Sequence, residues 1–275
     1  MTQPTIAFIG AGNMAGSLIN GLISDGYDPA CIVASDASPA ALDAMARRTG
    51  VRTTGDNAEA TAGADVVVLA VKPQMLQGVA REIAPVVQQR RPLVISIAAG
   101  IREDALEVWL GRGVALVRTM PNTPAMIGAG ATVLHAGAGV TDGQRDSAES
   151  ILRSVGLTRW VEDEALLDAV TAVSGSGPAY FFLVMEAMEA AAIDLGIPHE
   201  TARLLTLQTA LGAARMAIES DEEPAALRRR VTSPGGTTER AVAVFEEGGL
   251  RELFGRALAA ARDRSIELSR LLGGG

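Results

Sequence analysis

The sequence contains very few of the residues that form metal centres and disulfides. Among its 275 residues there are one cysteine, Cys31, and two histidines, His135 and His199, which lie far apart in the chain. A lone cysteine forms neither an intramolecular disulfide nor a cysteine metal cluster, and two separated histidines argue against a zinc or iron centre. We therefore predict a protein whose chemistry uses no bound metal.

Aromatic residues and positive charge are also scarce. Aromatic residues make up 3% of the chain, Lys72 is the only lysine, and the formal net charge is −8. This acidic balance argues against nucleic acid or an anionic membrane as a partner. No charged and then apolar leader opens the sequence, so we expect a soluble, cytoplasmic protein. The hydrophobic content of 48% is enough for a large core and two domains.

The first clear pattern is a strand, a glycine-rich turn and a helix. Residues 6–9 are all apolar, as in a parallel strand buried on both faces, and the turn after them reads Gly10-Ala11-Gly12-Asn13-Met14-Ala15. In this dinucleotide fingerprint the first glycine makes the turn, the second admits the pyrophosphate, and the third small residue lets helix and strand pack closely. Because a second strand at residues 31–35 follows at the proper distance, we predict that Gly10 to Met14 contact a nucleotide cofactor.

The residues after the second strand bear on which nucleotide binds. Asp36 lies about where an acidic residue holds the ribose diol of NAD. Ser35 and Asn57 could instead hydrogen-bond the 2′-phosphate of NADP, and no arginine stands beside Asp36. These residues alone leave NADH and NADPH both open.

Strands and helices then alternate as far as Asp163. Further strands are predicted at residues 51–54, 64–71, 93–98, 114–118, 131–135 and 157–161, with helices at 74–88, 101–110 and after Thr141, where Gln144 completes a capping box. Such alternation is typical of a doubly wound, Rossmann-type parallel sheet, in which ligands collect at the carboxyl ends of the strands. We predict this α/β fold for residues 1–163.

Three of these strands end in residues that we predict to contact the cofactor. They are Ala70-Val71-Lys72-Pro73 after strand 64–71, Ala98 and Gly100 at the end of strand 93–98, and Met120 and Asn122 after strand 114–118. Small residues at the second of these ends would let a flat nicotinamide lie against the backbone.

From residue 164 onward only helical patterns remain, and we predict a second, all-helical domain for substrate binding and dimerisation at residues 164–275. A short helix at 166–173 is expected to break at Ser174-Gly175-Ser176-Gly177-Pro178, and a helix at 179–195 follows. That helix is apolar nearly all round, which indicates burial on every side. Since so small a domain cannot cover it alone, we predict a dimer, or a ring of dimers, built on this helix.

The segment Thr232-Ser233-Pro234-Gly235-Gly236-Thr237-Thr238 lies between two helical patterns. Pro234 cannot continue a helix, and two glycines let backbone N–H groups turn toward a ligand. The next helix is expected to begin near Thr237 or Thr238, so that its unpaired N–H groups and the positive end of its dipole form an anion site. The alternative is a plain helix–helix turn with a threonine N-cap.

Five motifs in order resemble the pyrroline-5-carboxylate reductases, the last enzymes of proline biosynthesis, over essentially the whole length. They are the glycine turn, Ala70-Val71-Lys72-Pro73, Met120-Pro121-Asn122-Thr123-Pro124, Ser174-Gly175-Ser176-Gly177-Pro178-Ala179-Tyr180, and Val231 to Thr238 followed by Phe245-Glu246. The resemblance implies a Rossmann domain, a helical domain that interlocks two subunits, and NAD(P)H as hydride donor. With it we expect NADPH, and NADH as the alternative, because Asp36 could weaken a preference for the 2′-phosphate.

The same resemblance implies the reaction and the substrate site. Hydride goes to the carbon of a cyclic imine that carries a carboxylate, which needs no metal, no covalent intermediate and no strong base. Ser233 and the backbone of Gly235, Gly236 and Thr237 would bind the carboxylate. The hydroxyl of Thr238 would face the ring nitrogen as the catalytic group, either donating a proton or orienting the imine.

Two other functions fit parts of the sequence. A 3-hydroxyacid or 6-phosphogluconate type dehydrogenase pairs a similar first domain with a helical one, but it uses a lysine of the helical domain, and none is present there. A nucleotide-sensing regulator could keep the fold and lack the chemistry, although the intact segment from Ser233 to Thr238 argues against that.

Overall fold

The computed structural model describes residues 3–273, and within that range the chain forms eight β-strands and twelve α-helices. The strands are β1 Ile6–Ile9, β2 Ile32–Ser35, β3 Arg52–Thr54, β4 Val66–Leu69, β5 Leu93–Ser96, β6 Ala115–Met120, β7 Gly130–Ala136 and β8 Gly156–Trp160. The helices are α1 Asn13–Ser24, α2 Pro39–Thr49, α3 Asn57–Ala62, α4 Pro73–Arg90, α5 Glu103–Leu110, α6 Asp142–Arg153, α7 Leu166–Val170, α8 Gly177–Asp194, α9 His199–Glu219, α10 Pro224–Arg230, α11 Thr237–Glu247 and α12 Leu250–Leu272.

The strands form one sheet in the order β3-β2-β1-β4-β5-β6-β7-β8. Every neighbouring pair runs parallel except β6 and β7. The chain builds β1 to β3 toward one edge and β4 to β6 toward the other, so the order reverses between β1 and β4, as in a doubly wound fold. The predicted fold class is confirmed, and the capping box of Thr141 and Gln144 is present at the start of α6.

The central strands are apolar throughout because helices cover both faces of the sheet. Phe8 and Ile95 point to the face that α1 and α6 cover, and both are fully buried. Ile9 and Val94 point to the other face, under α4 and α5, and they too are fully buried. Successive residues of a strand point to opposite faces, so a strand with a helical layer on each side has no place for a polar residue.

Contacts between residues divide the chain into two compact units. The first runs through Ser176 and also takes in the chain from Ala260 onward, and the second is Gly177–Ala259. Helix α12 therefore begins in the second unit and ends in the first. The boundary that we predicted after Asp163 marks where strands give way to helices, and it stays a prediction.

We predicted that the helix breaks at Ser174 to Pro178, but the structure has a π-turn just before and into this segment. Residues Thr171–Gly175 form this turn, and the N–H of Ser176 donates to the carbonyl of Thr171 at 2.8 Å. Helix α8 then begins at Gly177, and Pro178 lies in its first turn, where the fixed φ of proline suits the helix. The glycines and the proline thus change the helical pitch without ending the helical run.

Helix α8 leaves large apolar side chains uncovered by the rest of the chain. Phe181, Phe182 and Leu183 are 68%, 64% and 65% exposed. By length and composition alone, the helical run Leu166–Asp194 could cross a membrane. Of its most apolar 18-residue window, 22% is buried. This run carries four acidic residues, Asp168, Glu186, Glu189 and Asp194, and a bilayer core disfavours each of them.

The end of α12 is attached to the first unit by a buried carboxylate. Asp168, on α7, is 2% exposed and accepts a hydrogen bond from the hydroxyl of Ser265 at 2.7 Å. Its other oxygen pairs with Arg102 at 3.1 Å. Because burial of a polar side chain is costly unless it is hydrogen-bonded, these partners hold Asp168 in place, and this one side chain joins α7, α12 and the segment before α5.

Replacing Asp168 tests this attachment. Asp168→Asn keeps the size of the side chain but removes the charge that Arg102 requires, and we expect a loss of about 1.5–3 kcal/mol, the value of a hydrogen bond to a charged group. Glu267→Gln is the matched control, because it removes the partner of Arg264 in an exposed pair of α12 and should cost less than about 1 kcal/mol. Thermal unfolding measures both, and equal shifts would contradict the assignment.

Candidate functional site

The carboxyl edge of the sheet gathers the segments that we predicted to bind a cofactor. Because β1, β4 and β5 are parallel and in register, Ile9, Leu69 and Ser96 lie side by side at their ends. The turns that follow these strands therefore meet at one edge, where the strand order reverses between β1 and β4. This is the place where doubly wound sheets bind nucleotides.

The glycine turn is shaped for close approach by a ligand. Gly10 has φ +110°, and a Cβ there would lie 2.7 Å from the carbonyl oxygen of Ala70, so only glycine fits. Gly12 is different, because a Cβ added to it would have no atom within 4 Å. Helix α1 begins at the next residue, with no side chain capping its first N–H groups. An open backbone at a helix N-terminus suits a pyrophosphate, so the residues present fit a dinucleotide.

A carboxylate is already fixed beside this turn. One oxygen of Asp36 accepts from the N–H of Ala11 at 2.9 Å, and the other accepts from the N–H of Ser38 at 2.9 Å. Asp36 thus stands at the end of β2 with its charge held against the glycine turn. A ribose diol can donate to such a group, whereas a 2′-phosphate brings a like charge toward it.

The side chains of Ser35 and Asn57, both predicted to contact the cofactor, are hydrogen-bonded to each other. The hydroxyl of Ser35 is fully buried and donates to Oδ1 of Asn57 at 2.8 Å, and Nδ2 of Asn57 donates to Glu82 at 3.1 Å. In this structure the hydroxyl of Ser35 therefore acts on Asn57 rather than reaching the surface. Asn57 is the half-buried member of the pair and the one nearer to solvent.

The other predicted cofactor contacts lie along the same edge with different exposure. Lys72 is exposed and directly precedes Pro73, the first residue of α4, while Ala70 and Val71 are half-buried. Gly100 is buried, with φ +73°, and a Cβ there would lie 3.6 Å from Cβ of Leu268. The end of α12 thus packs over Gly100, a contact that local sequence patterns do not predict.

Met120 and Asn122 lie at the end of β6, beside the π-turn. A Cβ on Gly175 would clash with the Cε methyl group of Met120, so the turn and this side chain are in tight contact. Both polar groups of the Asn122 amide are engaged, as Nδ2 donates to the carbonyl of Ser174 at 3.1 Å and Oδ1 accepts from the N–H of Ala131 at 2.9 Å. The sequence patterns did not suggest this role for Asn122.

Four charged or titratable side chains near the same edge, Arg118, Glu164, Glu103 and His135, are paired with one another. Arg118 is 4% exposed and donates to Glu164 at 2.8 Å, while Glu103 lies 3.3 Å from Nε2 of His135. Burial raises the pKa of Glu103, although the neighbouring His135 acts in the opposite direction. Within residues 3–273, no group of three or more His, Cys, Asp or Glu side chains is arranged to hold a metal ion.

The second candidate site is the loop between α10 and α11. Gly235 has φ +71°, and the N–H of Gly236 donates to the carbonyl of Ser233 at 3.0 Å, which closes a tight turn. Helix α11 begins at Thr237, and its N-cap is Gly236, with no side-chain hydrogen bond. The threonine N-cap that we gave as the alternative is therefore wrong, because Thr237 and Thr238 already lie inside the helix.

The donors of this loop fall into two groups. The N–H of Gly235 donates to the carboxylate of Glu239 at 2.7 Å, so the protein's own side chain occupies it. The N–H groups of Thr237, Thr238 and Glu239 belong to the first helical turn, where a helix provides no partner. These three groups, together with the exposed Ser233, are the donors that this loop offers to an anion.

An acidic residue with two arginines fixes the helices on either side of this loop. Glu246, on α11, accepts from Arg228 of α10 at 2.9 Å and from Arg251 of α12 at 2.7 Å. The hydrogen bond from Arg251, assisted by Arg228, lowers the pKa of Glu246 to about 2. The hydroxyl of Thr232 also donates to the carbonyl of Arg228 at 2.7 Å. The loop is therefore held at its base by α10 and α11.

Comparison with known proteins identifies related families for both halves. Residues 164–268 match the family described as pyrroline-5-carboxylate reductase dimerisation. Residues 5–100 match the family described as NADP oxidoreductase, coenzyme F420-dependent.

Similar proteins cover nearly the whole chain. A pyrroline-5-carboxylate reductase of Pseudomonas aeruginosa is 53% identical over 99% of this chain and 100% of its own length. The solved structure of such a reductase from Coxiella burnetii is 50% identical, has a TM-score of 0.94, and is matched over 98% of this chain and 100% of that one. The enzyme of Plasmodium falciparum, solved with NADP bound, is 27% identical with a TM-score of 0.86, over 98% and 99% of the two chains.

The open space at Gly12 gives a direct test of the cofactor site. In Gly12→Ala the new methyl group meets no protein atom, so the thermal stability should stay unchanged. The methyl group would stand where the pyrophosphate approaches, and loss of one charge-assisted hydrogen bond of about 1.5–3 kcal/mol should weaken dinucleotide binding at least tenfold. Fluorescence titration with NADPH measures the dissociation constant.

Gly63→Ala is the control for this substitution, since a Cβ there also meets nothing within 4 Å and Gly63 follows α3 at the opposite edge of the sheet. It should bind NADPH as the unchanged protein does. If Gly12→Ala also bound NADPH normally, the pyrophosphate would have to lie elsewhere.

Proposed function

The chain belongs to the pyrroline-5-carboxylate reductase family and reduces 1-pyrroline-5-carboxylate to proline with NAD(P)H, and we propose how its residues divide that work. The observation that carries the function is the match over 99% of the chain at 53% identity. The glycine turn, the small residues of the sheet edge and the loop from Ser233 to Thr238 are the segments that we assign to cofactor and substrate.

The cofactor supplies two electrons when it is bound: a C–H bond of the reduced nicotinamide breaks, a new C–H bond forms at the imine carbon, and the ring nitrogen takes a proton. In our proposal the open backbone from Gly10 to Met14 holds the pyrophosphate. Ala70 to Pro73, Ala98, Gly100 and Met120 form the remaining contacts at the edge of the sheet, and the amide of Asn122, predicted as a further contact, is engaged with Ser174 and Ala131 instead. Hydride transfer then depends mainly on orientation, which fits a site with few groups able to act as acid or base.

The substrate carboxylate is assigned to the loop before α11. The N–H groups at the start of this helix and the hydroxyl of Ser233 supply donors, and the helix dipole adds a positive potential. Gly235 and Gly236 shape the turn, since their own N–H groups bond to Glu239 and Ser233. Thr238, one residue inside the helix, is assigned to the imine nitrogen, where its hydroxyl orients or protonates the ring.

The two rival functions fit less well. A dehydrogenase that uses a lysine of its helical half as acid/base has no such residue here, because Lys72 is the only lysine and follows β4. A nucleotide sensor without turnover would have no need of the anion loop. An assay that follows NADPH oxidation with pyrroline-5-carboxylate tests the function, and normal NADPH binding without turnover would favour the sensor.

We also propose a dimer, or a ring of dimers, as the assembled form. The match of residues 164–268 to a dimerisation family supports self-association, and the uncovered side chains of α8 supply the surface. The acidic residues of α8 support a protein that stays in the cytoplasm and binds no membrane, and the net charge of −8 supports the absence of nucleic acid.

NADPH is proposed as the preferred cofactor, with NADH also used. The bound NADP of the Plasmodium falciparum enzyme supports this, and so does Asn57, which Ser35 holds at the end of β2. Asp36 opposes it through like charge. Asp36→Ser should therefore raise kcat/KM for NADPH relative to NADH by on the order of tenfold, since repulsion of about 1 kcal/mol or more is removed, whereas Asn57→Ala should lower kcat/KM for NADPH alone.

Steady-state kinetics with both cofactors decides this, with Asp146→Ser on the exposed side of α6 as the control for lost charge. If Asn57→Ala weakened both cofactors equally, the phosphate contact assigned to it would be wrong.

Steady-state kinetics should distinguish the role of Thr238 from that of Ser233. Thr238→Ala removes one oriented hydrogen bond to the reacting ring, so turnover should fall roughly ten- to a thousand-fold. Ser233→Ala should instead raise KM for the imine, because carboxylate binding is much the same in ground and transition states. Thermal stability should change little in either, since Gly236 is the N-cap of α11. Unchanged kcat in Thr238→Ala with lost turnover in Ser233→Ala would reverse the assignment.

A further inference from the structure

Asn122 joins three segments that are far apart in sequence. It precedes the 3-10 turn Thr123–Ile127, its Nδ2 donates to the carbonyl of Ser174 at 3.1 Å, and its Oδ1 accepts from the N–H of Ala131 at the start of β7. The amide thereby connects the end of β6, the start of β7 and the π-turn. All three segments belong to the first compact unit.

The carbonyl of Ser174 lacks its α-helical donor because of the sequence that follows it. In an α-helix it would accept from the N–H of residue 178, but residue 178 is proline and has no N–H. An unpaired carbonyl at a half-buried position is costly. The side chain of Asn122 supplies the donor that Pro178 cannot, and the π-turn keeps its shape with that bond made.

The π-turn lies against the cofactor edge of the sheet. Gly175 is in contact with the Cε methyl group of Met120, which would have to move if residue 175 carried a Cβ. Met120 ends β6, which is parallel to β5, so it lies at the same edge as the glycine turn. Since the adenosine half of a dinucleotide lies toward β2, the nicotinamide half lies toward β5 and β6, where this turn is packed. Turns of this kind are frequent at functional sites.

We propose that Asn122 is a positioning residue for hydride transfer. Its side chain fixes the π-turn at Thr171–Gly175 against Met120, and this π-turn fixes the position of the nicotinamide ring. The inference rests on the proposed cofactor site at this edge. It differs from a direct contact between Asn122 and the cofactor, because the amide uses one N–H on Ser174 and its oxygen on Ala131. A misplaced ring should slow the transfer of hydride while leaving the affinity for the dinucleotide intact.

Asn122→Asp tests the proposal, since it keeps an oxygen for Ala131 and replaces the donor to Ser174. The single-turnover rate of NADPH oxidation with saturating pyrroline-5-carboxylate should fall roughly ten- to a hundred-fold, as for a reactant displaced by about 1 Å. The dissociation constant for NADPH, measured by titration, should stay nearly unchanged. Gln88→Glu is the matched control, because the amide of Gln88 also donates to a backbone carbonyl, that of Leu110, at 3.0 Å, but at the opposite edge of the sheet.

A second variant distinguishes loss of the hydrogen bond from Asn122 to Ser174 from other effects of Asn122→Asp. Pro178→Ala restores an N–H that can donate to Ser174, so the loss of rate caused by Asn122→Asp should be several-fold smaller in the Pro178→Ala background. Asn122→Ser, which gives up the bond without adding charge, replaces Asn122→Asp if that variant does not fold. Unchanged protein assayed beside the variants shows whether the reductase activity itself is present.

Three results would overturn the proposal. A large rise in the NADPH dissociation constant of Asn122→Asp would show direct contact instead. An unchanged single-turnover rate would show that the turn does not position the ring. Loss of folding in both Asn122 variants would show that the side chain serves stability rather than the reaction.

Discussion

An apolar helix that its own chain cannot cover is the constraint on which the rest of this structure depends. Helix α8 leaves phenylalanine and leucine side chains more than half exposed, and burial of each is worth about 1.5–3 kcal/mol. A second copy of the chain can supply the missing cover. The loop between α10 and α11 belongs to the same compact unit as α8, so covering that helix also stabilises the unit that carries the loop we assign to the substrate.

The parallel sheet imposes the second constraint. Strands β1 to β6 all end at one edge, and that edge receives backbone from segments as distant as Gly10 and Met120. In our proposal backbone groups, small residues and hydroxyls do most of the binding, which suits a reaction that needs orientation more than acid or base. The scarcity of histidine, cysteine and lysine is a consequence of that chemistry and does not weaken the assignment as an enzyme.

Local patterns predicted the elements well, because buried strands, caps and glycine turns depend on neighbouring residues. The glycine turn, the capping box of Thr141 and the all-apolar α8 are examples. Contacts between distant residues could not be predicted in this way. Ser265 bonds to Asp168 across 97 positions, and Asn122 bonds to Ser174 across 52. The start of α11 was placed correctly, but its cap is Gly236, because the glycine adopts the extended backbone that a threonine was expected to provide.

Sedimentation velocity over a dilution series, with NADPH oxidation assayed on the same samples, tests most directly whether a second copy completes the enzyme. The account predicts a dimer, or a multiple of dimers, in buffer without detergent. It also predicts that activity is lost wherever the dimer dissociates, because the surface of α8 then meets water. A folded monomer with full activity at low concentration would contradict the account, and so would a protein that stays dispersed only in detergent.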